Sequence, residues 1–308
     1  MGNKTKQLLV MKFGGAALEN AQSIKKISSI VYWAHQRNDL IVVVSAIKHI
    51  TDKLLEAASQ IRNKDVASAL KHIDAIYAHH IDVLREIDPT IQAFETEQKL
   101  KMLLDLLKLF IKKSSPTMLG EAQQDYIISF GERMSAHVVM HSFRYYKKVR
   151  AMALDTTSLL TTTKEFGRAK PLLGTSAQSM KNILTNCMQE HIVPVITGYV
   201  GHAQDGCVTT LGRGGSDLTA TLIASLMQAD KVILWKDVVG LFNKDPKTNP
   251  NAQILKVASY DTAIDLSRAG AKILHPEAIE PVKKANIPVQ IKSFLFPKAP
   301  GTIIGNAV

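Results

Sequence analysis

The feature that most limits how this chain can fold is a pair of apolar runs, QLLVMKFGG at residues 7–15 and DLIVVVSA at residues 39–46. A strand with one face in water alternates apolar and polar residues, because successive side chains point to opposite faces. These two runs do not alternate, so both of their faces must be covered, as in a parallel sheet layered between helices. VRAMALD, HIVPVITGYVG, KVILWKDV, IPVQIKSF and GTII read as further strands. Between them lie helical patterns. Residues 51–113 predict several helices, DYIISFGERMSAHVVMHSFRYY one long helix, and SAQSMKNILTNCM, DLTATLIASLMQA, YDTAIDLSRAG and HPEAIEPVKKAN the rest. Strand and helix alternate, which predicts an α/β fold with a mainly parallel central sheet.

The 308 residues, 46% hydrophobic and 21% charged, describe a soluble globular chain, expected to form one domain of two lobes. No apolar run approaches the roughly 20 residues of a membrane span, and the N-terminus lacks a signal-peptide pattern. Cys187 and Cys207 form no metal or disulfide framework, which fits a cytoplasmic protein. The net charge of +11 is scattered in doublets such as Lys25-Lys26 and Lys147-Lys148, without a nucleic-acid signature. It suits small anionic substrates instead, and neither nucleic acid nor membrane is expected as a partner.

Four segments could carry chemistry. KFGG places Lys12 at a strand end beside Gly14 and Gly15, where a lysine can reach phosphates and glycine backbone can lie against them. It is no Walker A loop, since the lysine precedes the glycines. SAIKHIT ends the second strand with the hydroxyls of Ser45 and Thr51, at the sheet edge where α/β proteins bind ligands. SFGE puts Glu132 inside an apolar helix; a buried carboxylate needs a cation, which a substrate ammonium or an internal Arg or Lys would supply. LGRGGSD, residues 211–217, stands where a strand becomes a helix. A helix N-terminus offers free N–H groups to an anion, and Arg213 offers a two-pronged grip on a carboxylate or phosphate. Taken alone, the same segment reads as a tight turn with a Ser/Asp N-cap.

In this order the segments are specific. KFGG, SA with Thr51, SFGE, TTLGRGGSD, W-x-D-V-x-G, DP and GAK-x-L-H-P make the chain resemble the aspartate kinases of the amino-acid kinase superfamily, from about Met11 to Gly305. The resemblance implies a three-layer αβα sandwich around a mainly parallel sheet. It implies ATP-dependent phosphorylation of the L-aspartate side chain, the first step toward lysine, threonine and methionine, in a homodimer with Mg2+ held mainly by the nucleotide phosphates. Lys12 and Asp217 would be catalytic. Ser45, Thr51, Glu132, Tyr199, Arg213 and Ser216 would hold aspartate. Lys12, Gly14, Gly15, Lys236, Asp237, Phe242, Lys247 and Lys272 would hold the nucleotide. The C-terminal part, from about residue 200, would be the mainly nucleotide-binding lobe of a single domain spanning 1–308. With three residues after Gly305, a regulatory domain, and with it sensitivity to lysine and threonine, is expected to be absent.

The chain departs from the family pattern at Ala16 and Ala17, which replace hydroxyl residues, and at His49, which replaces a glycine. Lys236, Phe242 and Lys247 replace the usual Thr, Tyr and Arg of the nucleotide loop. These departures keep a second reading open, a catalytically weak or silent homologue that serves as a binding or regulatory subunit. A third is a relative that phosphorylates glutamate, acetylglutamate or UMP, against which Arg213 and Glu132 speak.

Overall fold

The computed structural model describes residues 6–114, 119–244, 249, 251–269 and 274–306. In chain order the strands are β1 (Gln7–Phe13), β2 (Asn38–Val44), β3 (Ala151–Leu154), β4 (Thr161–Thr162), β5 (Val193–Thr197) and β6 (Val200–Ala203). They continue with β7 (Val208–Thr210), β8 (Lys231–Lys236), β9 (Val257–Ala258), β10 (Val289–Ser293) and β11 (Thr302–Ile304). The helices are α1 (Ala21–His35), α2 (Ile50–Arg62), α3 (Val66–Ile87), α4 (Phe94–Lys113) and α5 (Glu121–Lys147), then α6 (Leu173–Gln189), α7 (Gly215–Met227), α8 (Tyr260–Arg268) and α9 (Glu280–Ala285).

Eight strands form one sheet in the order β3-β5-β2-β1-β8-β10-β11-β9, and every neighbouring pair from β3 to β10 is parallel. β11 turns back against β10, and β9 runs parallel to β11 at the edge. The alternation of side chains along β1 and β2 explains why both runs are apolar throughout. Leu9, Met11 and Phe13 with Leu40, Val42 and Val44 pack into a core shared with α1 to α5. Val10 with Ile41 and Val43 packs into the core on the opposite face, shared with α6, α7, α8 and α9. Each such buried side chain contributes about 1.5–3 kcal/mol relative to exposure. The result is the expected three-layer arrangement. Among the described residues, no helix is long and apolar enough to cross a membrane.

The run HIVPVITGYVG is not one strand. It divides at Gly198 and Tyr199 into β5, in the large sheet, and β6, which pairs with β4 and β7 in a small second sheet. The cause is tertiary. A Cβ on Gly198 would lie 2.6 Å from that of Ser216, so the chain can pass the start of α7 only as glycine. Tyr199 follows with φ at 73°, a left-handed conformation costly for a tyrosine and found most often at functional sites. The two-residue strands β4 and β9 also carry no pattern long enough to read in advance.

Candidate active site

Four strand ends meet in one place. β1 lies between β2 and β8, so the chain's path through the sheet reverses there and opens a crevice beyond the carboxyl ends. The N-terminus of α7 points into that crevice, and together they enclose a cleft of about 430 Å³. Lys12, Gly15, Ser45, Thr51, Glu132, Tyr199, Arg213, Ser216 and Asp217 all line it.

Glycines build the floor. Gly214 has φ at 78°, and a Cβ there would lie 2.5 Å from that of His275. Any other residue would push the LGRGG turn off its seat. α7 begins at the next residue, and no side chain caps it. The Ser/Asp N-cap that an isolated GGSD suggests is therefore not formed. The positive end of the helix faces the cleft without an internal acceptor from a capping side chain. Gly15 brings the loop after β1 against that after β2, since a Cβ there would come within 3.0 Å of the Ala46 carbonyl oxygen. Gly14 stands beside Lys12, its Cβ position 3.5 Å from Nζ.

Asp217 sits in the first turn of α7 and is held by two lysines. Lys12 Nζ lies 2.7 Å from Oδ1, and Lys236 Nζ lies 2.6 Å from Oδ2. Burial opposes charge on this carboxyl, but the two cations outweigh it and hold its pKa down to about 2. This trio of two lysines and one carboxylate at a helix N-terminus is an arrangement suited to an anion, although burial pulls the Lys12 ammonium's pKa down against the pull of Asp217. Lys236, the last residue of β8, thus stands with Lys12 and Asp217 rather than apart from them.

Glu132 has the opposite electrostatics. α5 crosses close beneath the loop after β2, where a Cβ on Gly131 would come within 2.8 Å of the Ala46 Cβ. The next residue, Glu132, is 3% exposed and lines the cleft. Its Oε2 has no hydrogen-bond partner among the described residues. Burial pushes its pKa up to about 8, against smaller opposing effects from backbone hydrogen bonds and Lys12. Among the described residues no Arg or Lys forms an ion pair with it, and Lys12 acts on it only from a distance. Arg213 reaches the same cleft and makes no ion pair among the described residues.

Hydroxyl groups tie the walls together. Ser45 Oγ donates to Ser216 Oγ at 3.0 Å, and Ser135 Oγ donates to the Ser45 carbonyl at 2.6 Å. Tyr199 N donates to Thr219 Oγ1 at 3.1 Å, and burial pushes the phenol up to about 12.

The residues expected to hold a nucleotide are brought together only in part. Asp237 is exposed just beyond β8, and Phe242 is half-buried and bridged to Ile254; neither lines the cleft. Lys247 and Lys272 lie outside the described residues. Among the described residues, no group of three His, Cys, Asp or Glu could hold a metal ion. Both oxygens of Asp217 are occupied by lysines. That donor set suits a Mg2+ that arrives on phosphates rather than one caged by carboxylates.

Sequence reading missed Asp125. It is 1% exposed on α5, and its Oδ2 accepts from Gly167 N and Thr210 N, both at 2.8 Å. Its Oδ1 accepts from Thr210 Oγ1 at 2.9 Å. Thr210 directly precedes LGRGG, so Asp125 anchors the loop that carries Arg213. The signal was available: Asp125 stands seven residues before Glu132, on the same face of an apolar helix. Lys48 and Asp52 also line the cleft and were passed over; His49, noted only as a departure from the family glycine, lines it too, with φ at 68°.

A phosphate-suited helix N-terminus at the switch point of such a sheet defines a class, and the sequence agrees with it. Residues 7–293 match the amino acid kinase family, and the chain belongs to that family. Within it, the chain is 33% identical to aspartokinase 2, chloroplastic, of Arabidopsis thaliana, over 96% of this chain and 54% of that protein. It is 30% identical to lysine-sensitive aspartokinase 3 of Escherichia coli, over 97% of this chain and 64% of that one. The chain therefore spans about half to two thirds of the length of these relatives. E. coli aspartokinase III in complex with lysine and aspartate superposes with a TM-score of 0.87 at 28% identity, covering 98% of this chain and 65% of that one. The same enzyme in complex with aspartate and ADP gives 0.84. UMP kinase from Ureaplasma parvum, 13% identical with a TM-score of 0.55, shares the fold.

Proposed function

We propose that this chain is an aspartate kinase, transferring the γ-phosphoryl group of ATP to the side-chain carboxylate of L-aspartate to give 4-phospho-L-aspartate. The observation that carries this reading is one cleft holding two unlike halves. It holds Lys12 and Asp217 at the start of α7, with Lys236 behind on the same carboxylate, and it holds a buried Glu132 and an Arg213 that form no ion pair among the described residues. An amino acid presents an ammonium and a carboxylate, and these two groups are what Glu132 and Arg213 lack. Similarity to the aspartokinases, one of them solved with aspartate and ADP, supports the same assignment.

The substrate side chain, with a pKa of about 3.9, is already ionised at neutral pH, so no general base is needed. A side-chain oxygen of aspartate attacks the γ-phosphorus, the bond to the bridging oxygen breaks, and ADP leaves with that electron pair. What the protein supplies is position and positive charge. Arg213 clamps the α-carboxylate in a bidentate grip, and Glu132 takes the ammonium, with Ser45, Thr51, Tyr199 and Ser216 closing around the substrate. Lys12 and Lys236, aligned by Asp217, neutralise charge on the transferring group, helped by the amides that open α7. Mg2+ carried by the phosphates would screen their remaining charge. Gly14, Gly15, Asp237, Phe242, Lys247 and Lys272 complete the proposed nucleotide side. The assembled trio speaks against a binding-only subunit.

Hydroxylamine traps an acyl phosphate as a hydroxamate. ATP-dependent hydroxamate formation from L-aspartate, exceeding that from L-glutamate, is the expected result. No hydroxamate from aspartate at saturating ATP and Mg2+ would overturn the assignment.

A further inference from the structure

Among the described α-helices, only α2 and α7 start from a left-handed N-cap, and both starts line the cleft. At α7 the residue is Gly214, which holds φ at 78° without strain. At α2 it is His49, held at φ 68° although its side chain disfavours that conformation. Among the described residues, no contact within α2 offsets the cost. The imidazole makes no capping hydrogen bond to the helix, and its Nδ1 lies 3.9 Å from Asp52 Oδ2. That distance is too long for a hydrogen bond, and both side chains are exposed, so the pair contributes little. Strained residues of this kind cluster at ligand sites.

The loop that carries His49 is wedged in place. A Cβ on Gly131 would come within 2.8 Å of the Ala46 Cβ, and one on Gly15 within 3.3 Å of the Lys48 backbone N. Residues 46–48 thus lie between α5 and the glycine turn that follows β1. Lys48 turns its ammonium to Glu19, at 2.8 Å, which leaves the His49 imidazole to face an anion at this rim of the cleft. We propose that His49 reads the terminal phosphoryl group of the nucleotide. An imidazole N–H donates to one of its oxygens, so the cleft prefers a nucleoside triphosphate to the diphosphate. This inference rests on the reading of the cleft as a kinase site. The neighbours of His49 choose the ligand. Gly15 and Lys12 stand on the phosphate side of that reading, and the uncapped first amides of α2 and α7 add positive potential from two directions. When the phosphoryl group moves to the acceptor, ADP loses the contact and is released without it.

The test is calorimetric binding of ADP and of a non-hydrolysable ATP analogue to the full chain, each with Mg2+ and without aspartate. His49→Gly relieves the left-handed strain and is expected to melt about 2 °C higher. Its affinity for the ATP analogue is expected to fall about tenfold, while its affinity for ADP stays at the wild-type value. His49→Asn tolerates the left-handed conformation and keeps an N–H donor, so it should recover part of the lost preference. A residue with a purely structural role would give a different pattern, greater stability in His49→Gly with the wild-type preference for the analogue intact, and that result would overturn the proposal. Equal losses for ADP and the analogue would overturn it too, since the contact would then lie elsewhere on the nucleotide. None of these measurements needs an acceptor, so they hold even if aspartate yields no hydroxamate.

Discussion

Asp217 holds Lys12 and Lys236 at the same time, one on each carboxylate oxygen, at 2.7 and 2.6 Å. The two lysines come from strands on adjacent positions of the sheet, and the acid comes from the helix between them in space. Removing the acid leaves two lysines, one buried and one half-buried, facing each other without it. Asp217→Ala is therefore expected to cost about 3–5 kcal/mol in stability, read as a lower denaturant midpoint. The carboxyl is held down to about 2 in the folded chain. Its contribution is thus complete above the unfolded value of about 3.9 and is lost as pH falls toward 2. Acid unfolding that follows the same curve in wild type and Asp217→Asn would contradict this linkage.

Lys12 is expected to act on the phosphoryl group and not on aspartate. Lys12→Ala should reduce kcat by orders of magnitude with little change in the KM for aspartate, because the lost charge acts mainly in the transition state. Steady-state kinetics separate the two constants. Turnover near the wild-type rate would remove Lys12 from the phosphoryl site.

Glu132 is expected to make aspartate binding a proton-linked event. With its carboxyl pushed up to about 8, the empty site is protonated at neutral pH, while the substrate ammonium binds the ionised form. Binding at pH 7 should release a proton, and affinity should rise with pH until about 8. The stability sign is the reverse of that at Asp217. The unfolded carboxyl ionises near 4.3, so stability falls as pH rises from there to about 8 and is level above. Calorimetry of aspartate binding in buffers of different ionisation enthalpy reads the proton directly; equal heats in all of them would rule it out. Glu132→Gln should abolish the release and raise the KM for aspartate about 10- to 100-fold.

Arg213→Ala should cost about 2–4 kcal/mol in kcat/KM for aspartate while ATP binding stays near wild type. Arg213→Lys should recover only part, since an ammonium keeps the charge and loses the fork. An equal loss of nucleotide affinity would mean that Arg213 grips the phosphates instead.

Asp125→Ala leaves the Thr210 amide, the Thr210 hydroxyl and the Gly167 amide without their buried acceptor. Each orphaned donor costs about 1–3 kcal/mol, less whatever water repays. A lower melting temperature is expected together with a raised KM for aspartate, because the loop that carries Arg213 loses its anchor. A change in stability with unaltered kinetics would confine Asp125 to the scaffold.

The large sheet was legible because its strands are apolar on both faces, which few other structures permit. β1, β2, β8 and β10 follow from composition and spacing alone. The break at Gly198 was not legible, since it depends on Ser216, which the sequence places eighteen residues away and the fold places in contact. The same limit applies to the site. Glu132 stood out as a carboxylate in an apolar helix, and Asp125 carried the same signal unread. The sequence assigned Lys236 to the nucleotide and Asp217 to catalysis as separate matters. Their ion pair exists because β8 docks beside β1, a fact of topology that no local pattern encodes.

That docking also sets the order in which the protein can be made. β1 finds one neighbour, β2, about thirty residues later, but its other neighbour, β8, begins only at Lys231. A ribosome adds roughly 5–20 residues each second, so the nascent chain presents one open edge of its central strand for on the order of tens of seconds. Long-range parallel pairings of this kind are slow to close and vulnerable while open. Growth at elevated temperature or overexpression should therefore deplete the soluble yield of this chain well before it impairs the activity of molecules already folded.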